Sequence, residues 1–132
     1  MLTAAGLLSG GRSLYALGKN AGLIGATTTG SLGVDLDFAS TLAAGFYLAS
    51  PALFGYTLPN IALSEAASHY GLVGPVYAIF PDQQTPLTVA VVEAERWLAC
   101  RPELDLIIAG AFDAWPGSET TASLSITLSV VS

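Results

Sequence analysis

The chain has 132 residues, enough for one hydrophobic core and too few for two, and the whole of 1–132 reads as a single domain. Only 11% of its residues are charged, against about 25% in ordinary soluble domains, while 52% are apolar. A net charge of −6 with only Arg12, Lys19, Arg96 and Arg101 as cations excludes nucleic acid and disfavours anionic lipid surfaces. So little polar surface is left that a substantial face is expected to pack against another chain.

In chain order, Ala4 to Leu17 fits a helix weakened by glycines, and Ala21 to Thr28 has the continuous apolar character of a strand covered on both faces. Thr28 to Gly33 is a loop of small residues. Leu36 to Ala49 fits a helix with Asp35 or Asp37 near its positive end, stopped by Ser50-Pro51. Phe38 to Ser64 carries no charge and is long enough for a bilayer. Gly45, Pro51, Gly55, Pro59 and Asn60 divide it, however, so a buried helix pair covering a sheet is expected and a membrane span is not. Asn60 to Tyr70 is a helix closed by Gly71, and Val76 to Phe80 is a strand.

Thr85 to Cys100 is the clearest helix. Leu87, Ala90, Val91, Ala94, Trp97 and Leu98 form its apolar stripe, with Glu93 and Arg96 paired on the opposite side. Leu104 to Phe112 is a buried strand, and Ser123 to Val131 alternates like an antiparallel or edge strand with one solvated face. Long apolar segments punctuated by Gly and Pro specify an α/β fold with a mixed sheet and helices packed on it.

Most candidate sites fail on chemistry. Gly30-Ser-Leu-Gly33 lacks the third glycine and the Lys-Ser/Thr pair of a phosphate loop, so it reads as a tight turn. His69, the only histidine, sits near a helix end with no further ligands, so no metal and no cofactor are expected. No Gly-x-Ser-x-Gly elbow supports a hydrolase. Cys100 lies at the negative end of its helix, where a thiolate is disfavoured, and is expected to be a buried structural thiol. As the only cysteine it can form no internal disulfide, which points to a reducing cytoplasm. Asp82, Glu93, Glu95, Asp105 and Asp113 form no evident acid/base pair, and Asp113 reads as a strand end.

Four segments in order carry a resemblance: Leu23-Ile-Gly-Ala-Thr-Thr-Thr-Gly30, Leu58-Pro-Asn-Ile-Ala62, Gly71-Leu-Val-Gly-Pro75, and the strand ending Gly110-Ala-Phe-Asp113. Together, over about Ala21 to Asp113, they resemble the N-terminal half of the β-ketoacyl synthases, condensing enzymes of the thiolase fold. The resemblance implies a single thiolase-like half. In active relatives the nucleophilic cysteine lies eight positions after the Gly-Pro, which here is Gln83. A carboxamide neither ionises nor attacks a thioester, so no catalytic residue is assigned.

The same Cys-to-Gln change marks chain-length-factor subunits and decarboxylating loading domains. Asp82 and Pro81 depart from the small residues usual beside it, and the second half that supplies two catalytic histidines has no counterpart in these residues. Gln83, Phe80 and Asp82 are therefore implied as a binding site. Val76, Tyr77, Ala78 and Phe80 are implied as a dimer interface, in a homodimer or in a heterodimer with a complete ketosynthase, and an acyl carrier protein is a further implied partner. The expected role is an inactive partner of a condensing enzyme in fatty acid, polyketide or aryl-polyene synthesis. The alternatives are a glutamine-type malonyl decarboxylase and an acyl-binding module.

Overall fold

Four strands form one mixed sheet in the order β2-β1-β3-β4 in the computed structural model, which describes residues 13–113 and 125–129. The strands are β1 (Ala21–Ala26), β2 (Val76–Ile79), β3 (Leu106–Ala111) and β4 (Ser125–Ser129). β1 runs parallel to β2 and β3, and β4 is antiparallel to β3 at the far edge. The helices are α1 (Leu32–Leu42), α2 (Pro51–Gly55), α3 (Pro59–Tyr70) and α4 (Pro86–Cys100).

The covering helices follow from the strand order. The connection from β1 to β2 moves one way across the sheet and that from β2 to β3 moves back over β1. Right-handed crossovers in opposite directions put their helices on opposite faces. On one face, Leu63, Ala66 and Ala67 of α3 pack on Ala21, Leu23 and Ile108. On the other, Ala90 and Ala94 of α4 pack on Ile24, Ile107 and Ala109. The two alanines let the helix close on the sheet, and each buried Ile or Leu beneath contributes about 1.5–3 kcal/mol. β1 is buried at every position, as a central parallel strand should be.

Two glycines set the spacing of β1. A Cβ on Gly22 would lie 2.7 Å from the Pro75 carbonyl oxygen, and one on Gly25 would lie 2.6 Å from Cε1 of Phe112. At the end of α3, Gly71 takes the left-handed conformation (φ 65°) and donates to Ala67 O, the helix stop expected from the sequence.

Three expectations are corrected. The helix placed at Leu36–Ala49 is instead α1, shifted towards the N-terminus; the chain breaks at Gly45 (φ 119°) and resumes as a 3-10 turn over Phe46–Leu48. The buried helix pair over Phe38–Ser64 is half right: α3 covers the sheet, but α1 and α2 bury no residue, and Phe46, Tyr47, Phe54 and Leu58 are exposed. The apolar residues of this segment face outward on a surface excursion, a fate that composition cannot distinguish from burial. Cys100 is exposed, because it lies on the Glu93–Arg96 side of α4, away from Ala90 and Ala94, which face the sheet. The helix expected at Ala4–Leu17 lies mostly outside the described residues; its described end is a 3-10 turn, Tyr15–Leu17. No helix among the described residues is long and apolar enough to cross a membrane.

Candidate functional site

The C-terminal ends of the three parallel strands bring together Thr27–Gly30 after β1, Phe80–Gln83 after β2 and Phe112–Asp113 after β3. Parallel α/β sheets offer their ligand-binding loops at this edge, where the crossovers diverge.

Asp113 organises it. Its Oδ1 accepts from the Thr27 hydroxyl (2.8 Å), the Thr28 and Thr29 N–H groups (2.8 Å each) and the Thr29 hydroxyl (2.9 Å). Thr27 is fully buried, and its hydroxyl oxygen in turn accepts from Gly30 N–H at 2.8 Å. Burial works to raise the Asp113 pKa, but the Thr29 N–H, the Thr27 and Thr29 hydroxyls and the Thr28 N–H together outweigh it, and the value is lowered. Asp113 thus does more than end a strand. It holds the β1 loop in place as an anion. Three consecutive threonines are the sequence signal for this role, since each supplies a hydroxyl and a backbone donor.

Gln83 occupies the turn from β2 into α4 with φ 58°, the only non-glycine among the described residues at positive φ. For an L-residue this backbone costs about 1–2 kcal/mol. Gln83 and its neighbour Asp82 are exposed. Pro86 is the first residue of α4, where its missing N–H costs nothing. Phe80, 62% exposed, lies against Gly30: a Cβ added there would be 3.0 Å from its Cε1. The structure therefore joins Phe80 to the β1 loop and sets Asp82 and Gln83 outside it in solvent.

A mainly apolar cavity of about 410 Å³ opens beside this loop, lined by Gly30, Val34, Leu58, Pro59, Ala62 and Phe112 among others. Gln83 does not line it. Among the described residues no group of His, Cys, Asp and Glu could hold a metal ion.

The solved structures similar to this chain include the ishigamide ketosynthase/chain length factor, with a TM-score of 0.65 and 17% sequence identity over 74% of this chain. The fold is thiolase-like. The chain spans 27% of that protein's length, about a quarter of it. No protein-family model matches the sequence, and no curated protein matches it.

In this thiolase-like half, β2 lies at the outer edge of the described sheet. Val76 and Ala78 pack towards α3, and Tyr77 and Ile79 towards α4. The Tyr77 hydroxyl donates to Glu93 Oε1 (2.7 Å) and accepts from Trp97 Nε1 (2.6 Å). Burial foremost, then the Glu93 carboxylate, pushes the Tyr77 pKa up to about 12. Glu93 keeps its pairing with Arg96 at 3.6 Å but also serves Tyr77, so it is not simply on a solvated face. Of the four expected interface residues, Phe80 is exposed, Tyr77 is tied to α4, and Val76 and Ala78 are half-buried. His69 is exposed, edge-on to Tyr70 at 4.7 Å.

Proposed function

We propose that this chain is a catalytically silent ketosynthase-like half, folding as one domain over 1–132, that docks in the cytoplasm on a complete condensing enzyme in the manner of a chain length factor. The carrying observation is Gln83 in the turn between β2 and α4, the one non-glycine among the described residues with a left-handed backbone. A sharp strand-to-helix turn at positive φ is a geometry that presents a nucleophile, and folds retain its strain where it serves a site. Here the position holds a neutral amide, which can donate and accept hydrogen bonds but cannot carry an acyl group as a thioester.

Docking draws support from the surface. Phe46, Tyr47, Leu48 and Phe54 stand exposed on the excursion between β1 and α3, more large apolar side chains than one short segment ordinarily leaves in water. Val76, Ala78 and Phe80 line the outer edge of β2, with Phe80 exposed as an anchor. An acyl carrier protein would then meet the assembled pair, in fatty acid, polyketide or aryl-polyene synthesis.

The test is co-purification with a complete ketosynthase followed by size analysis. A stable complex at micromolar concentration, weakened by Phe80→Asp, is expected; no association at that concentration refutes the reading. A second reading, an acyl-binding module, has one observation in its favour: the apolar cavity beside Gly30 has room for part of an alkyl chain. Lipid carried through native purification, and lost in Ala62→Trp, would favour it. In the decarboxylase alternative, Gln83 would hold a malonyl group by its amide, and Gln83→Ala would abolish turnover.

A further inference from the structure

We propose that the excursion between β1 and α3 is a lipid-facing surface, which seats the turn Phe46–Leu48 in the interface of an electrically neutral bilayer. α1 and α2 bury no residue, and Leu36, Phe46, Tyr47, Leu48, Phe54 and Leu58 all stand exposed. The 3-10 turn is the extreme case: Phe46 is 87% exposed and Tyr47 entirely so. Gly45, at φ 119°, redirects the chain there, and Leu48 N–H closes the turn on Gly45 O at 2.9 Å. The Phe38 and Phe54 rings, 5.5 Å apart, tie α1 to α2.

A protein partner would also cover apolar side chains, and the polar groups decide between the two. Protein interfaces carry about one hydrogen bond per 100–200 Å², drawn from side chains with donors or acceptors to spare. Here the hydroxyls are turned back on their own segment. Ser40 Oγ donates to Asp37 O (2.6 Å), Thr41 Oγ1 to Phe38 O (2.7 Å) and Thr57 Oγ1 to Phe54 O (2.7 Å). Ser50 N–H donates to Thr41 Oγ1, and Leu53 N–H to Ser50 Oγ, each at 3.3 Å. The Tyr56 hydroxyl donates to Glu65 Oε1 at 2.6 Å. Such internal pairing is what a hydrocarbon surrounding requires, because no water is there to satisfy a polar group. The Tyr47 hydroxyl stands at the exposed turn, and a ring ending in a hydroxyl suits the headgroup level of a bilayer.

Charge selects the lipid. Residues 38–64 carry no charge, and the charges that bound the stretch, Asp35, Asp37 and Glu65, are all acidic. They repel an anionic surface and leave a zwitterionic phosphatidylcholine surface as the match. The contact is interfacial, made by a turn and two short helices without a span. Lipid takes the excursion in this assignment, and Phe80 with β2 remains for the condensing enzyme, so neither surface depends on the other.

Flotation of the full chain with phosphatidylcholine vesicles tests this. The wild type should float with them, to an extent unchanged by salt and lowered when phosphatidylserine is mixed in. Phe46→Ser and Tyr47→Ser should each lower partitioning by about tenfold or more, since each withdraws a large apolar side chain from the bilayer. Both positions are exposed, so the variants should fold as the wild type does, which circular dichroism checks. Phe80→Asp should float as the wild type, and Phe46→Ser should still co-purify with a ketosynthase. A wild-type chain that stays in solution beside the vesicles overturns the proposal, and so does equal flotation of the wild type and the two serine variants. Tighter binding to phosphatidylserine overturns it as well. Loss of ketosynthase binding in Phe46→Ser would do the same, by giving the excursion to a protein. A wild type that floats but binds no ketosynthase would overturn the docking reading alone.

Discussion

Replacing Asp113 by alanine should be among the most damaging single changes outside the apolar core. Four donors converge on its Oδ1. Hydrogen bonds to a charged acceptor are worth about 1.5–3 kcal/mol each, but these four share one oxygen and do not add. Asp113 is half-buried and Thr28 is exposed, so water takes over part of the loss. What water cannot easily reach is the hydroxyl of fully buried Thr27, which also holds Gly30 in its left-handed turn. Counting that stranded group and a share for Thr29 gives a loss of about 2–4 kcal/mol.

Urea unfolding followed by circular dichroism would place the midpoint about 1–2 M lower, at a slope of about 2 kcal/mol per M. Asp113→Asn keeps the shape and removes the charge, so its deficit should depend on pH. The folded-state pKa of Asp113 is lowered, so the charge contributes fully above the unfolded value of about 3.9 and is lost as pH falls below it through the folded value. The gap between wild type and Asp113→Asn should therefore be open at pH 6 and narrow steadily below about pH 4. A gap that does not change on acidification, or an Asp113→Ala loss below about 0.5 kcal/mol, would refute the clamp.

Gly22→Ala should cost about 2–4 kcal/mol, since its Cβ would meet the Pro75 carbonyl that joins β1 to β2, whereas Gly33→Ala in α1 meets nothing within 4 Å and should be neutral or stabilising; paired thermal melts decide this. At Gln83, glycine should be tolerated or gain up to about 1 kcal/mol while valine loses about 1–2 kcal/mol, and equal stability of the two variants would show that the turn is not left-handed. Tyr77 should ionise at about pH 12 by tyrosinate absorbance. Its raised folded value means the stabilisation is complete below the unfolded pKa of about 10 and is lost as pH rises through the folded one, a dependence that Tyr77→Phe should remove.

Local signals were enough wherever local physics decides. Gly71 stopped α3 and Pro86 opened α4, as their backbone preferences require. The continuous apolar runs of β1 and β3 became buried parallel strands, because burial on both faces is written in the period, and the segment after Ser123 became a strand antiparallel to β3. Counting from Pro75 led to Gln83 as the expected nucleophile position, but its left-handed backbone could not be read from the sequence.

Long-range contacts were beyond reach from sequence. Asp113 is more than eighty residues from the threonines it holds, and Asn60 Oδ1 accepts from the Ala78 N–H eighteen residues away, so only the folded sheet brings each donor to its acceptor. The same limit explains Cys100 and the stretch around Phe46: hydropathy records how much a residue prefers to leave water, and only the packed chain determines whether anything is there to cover it.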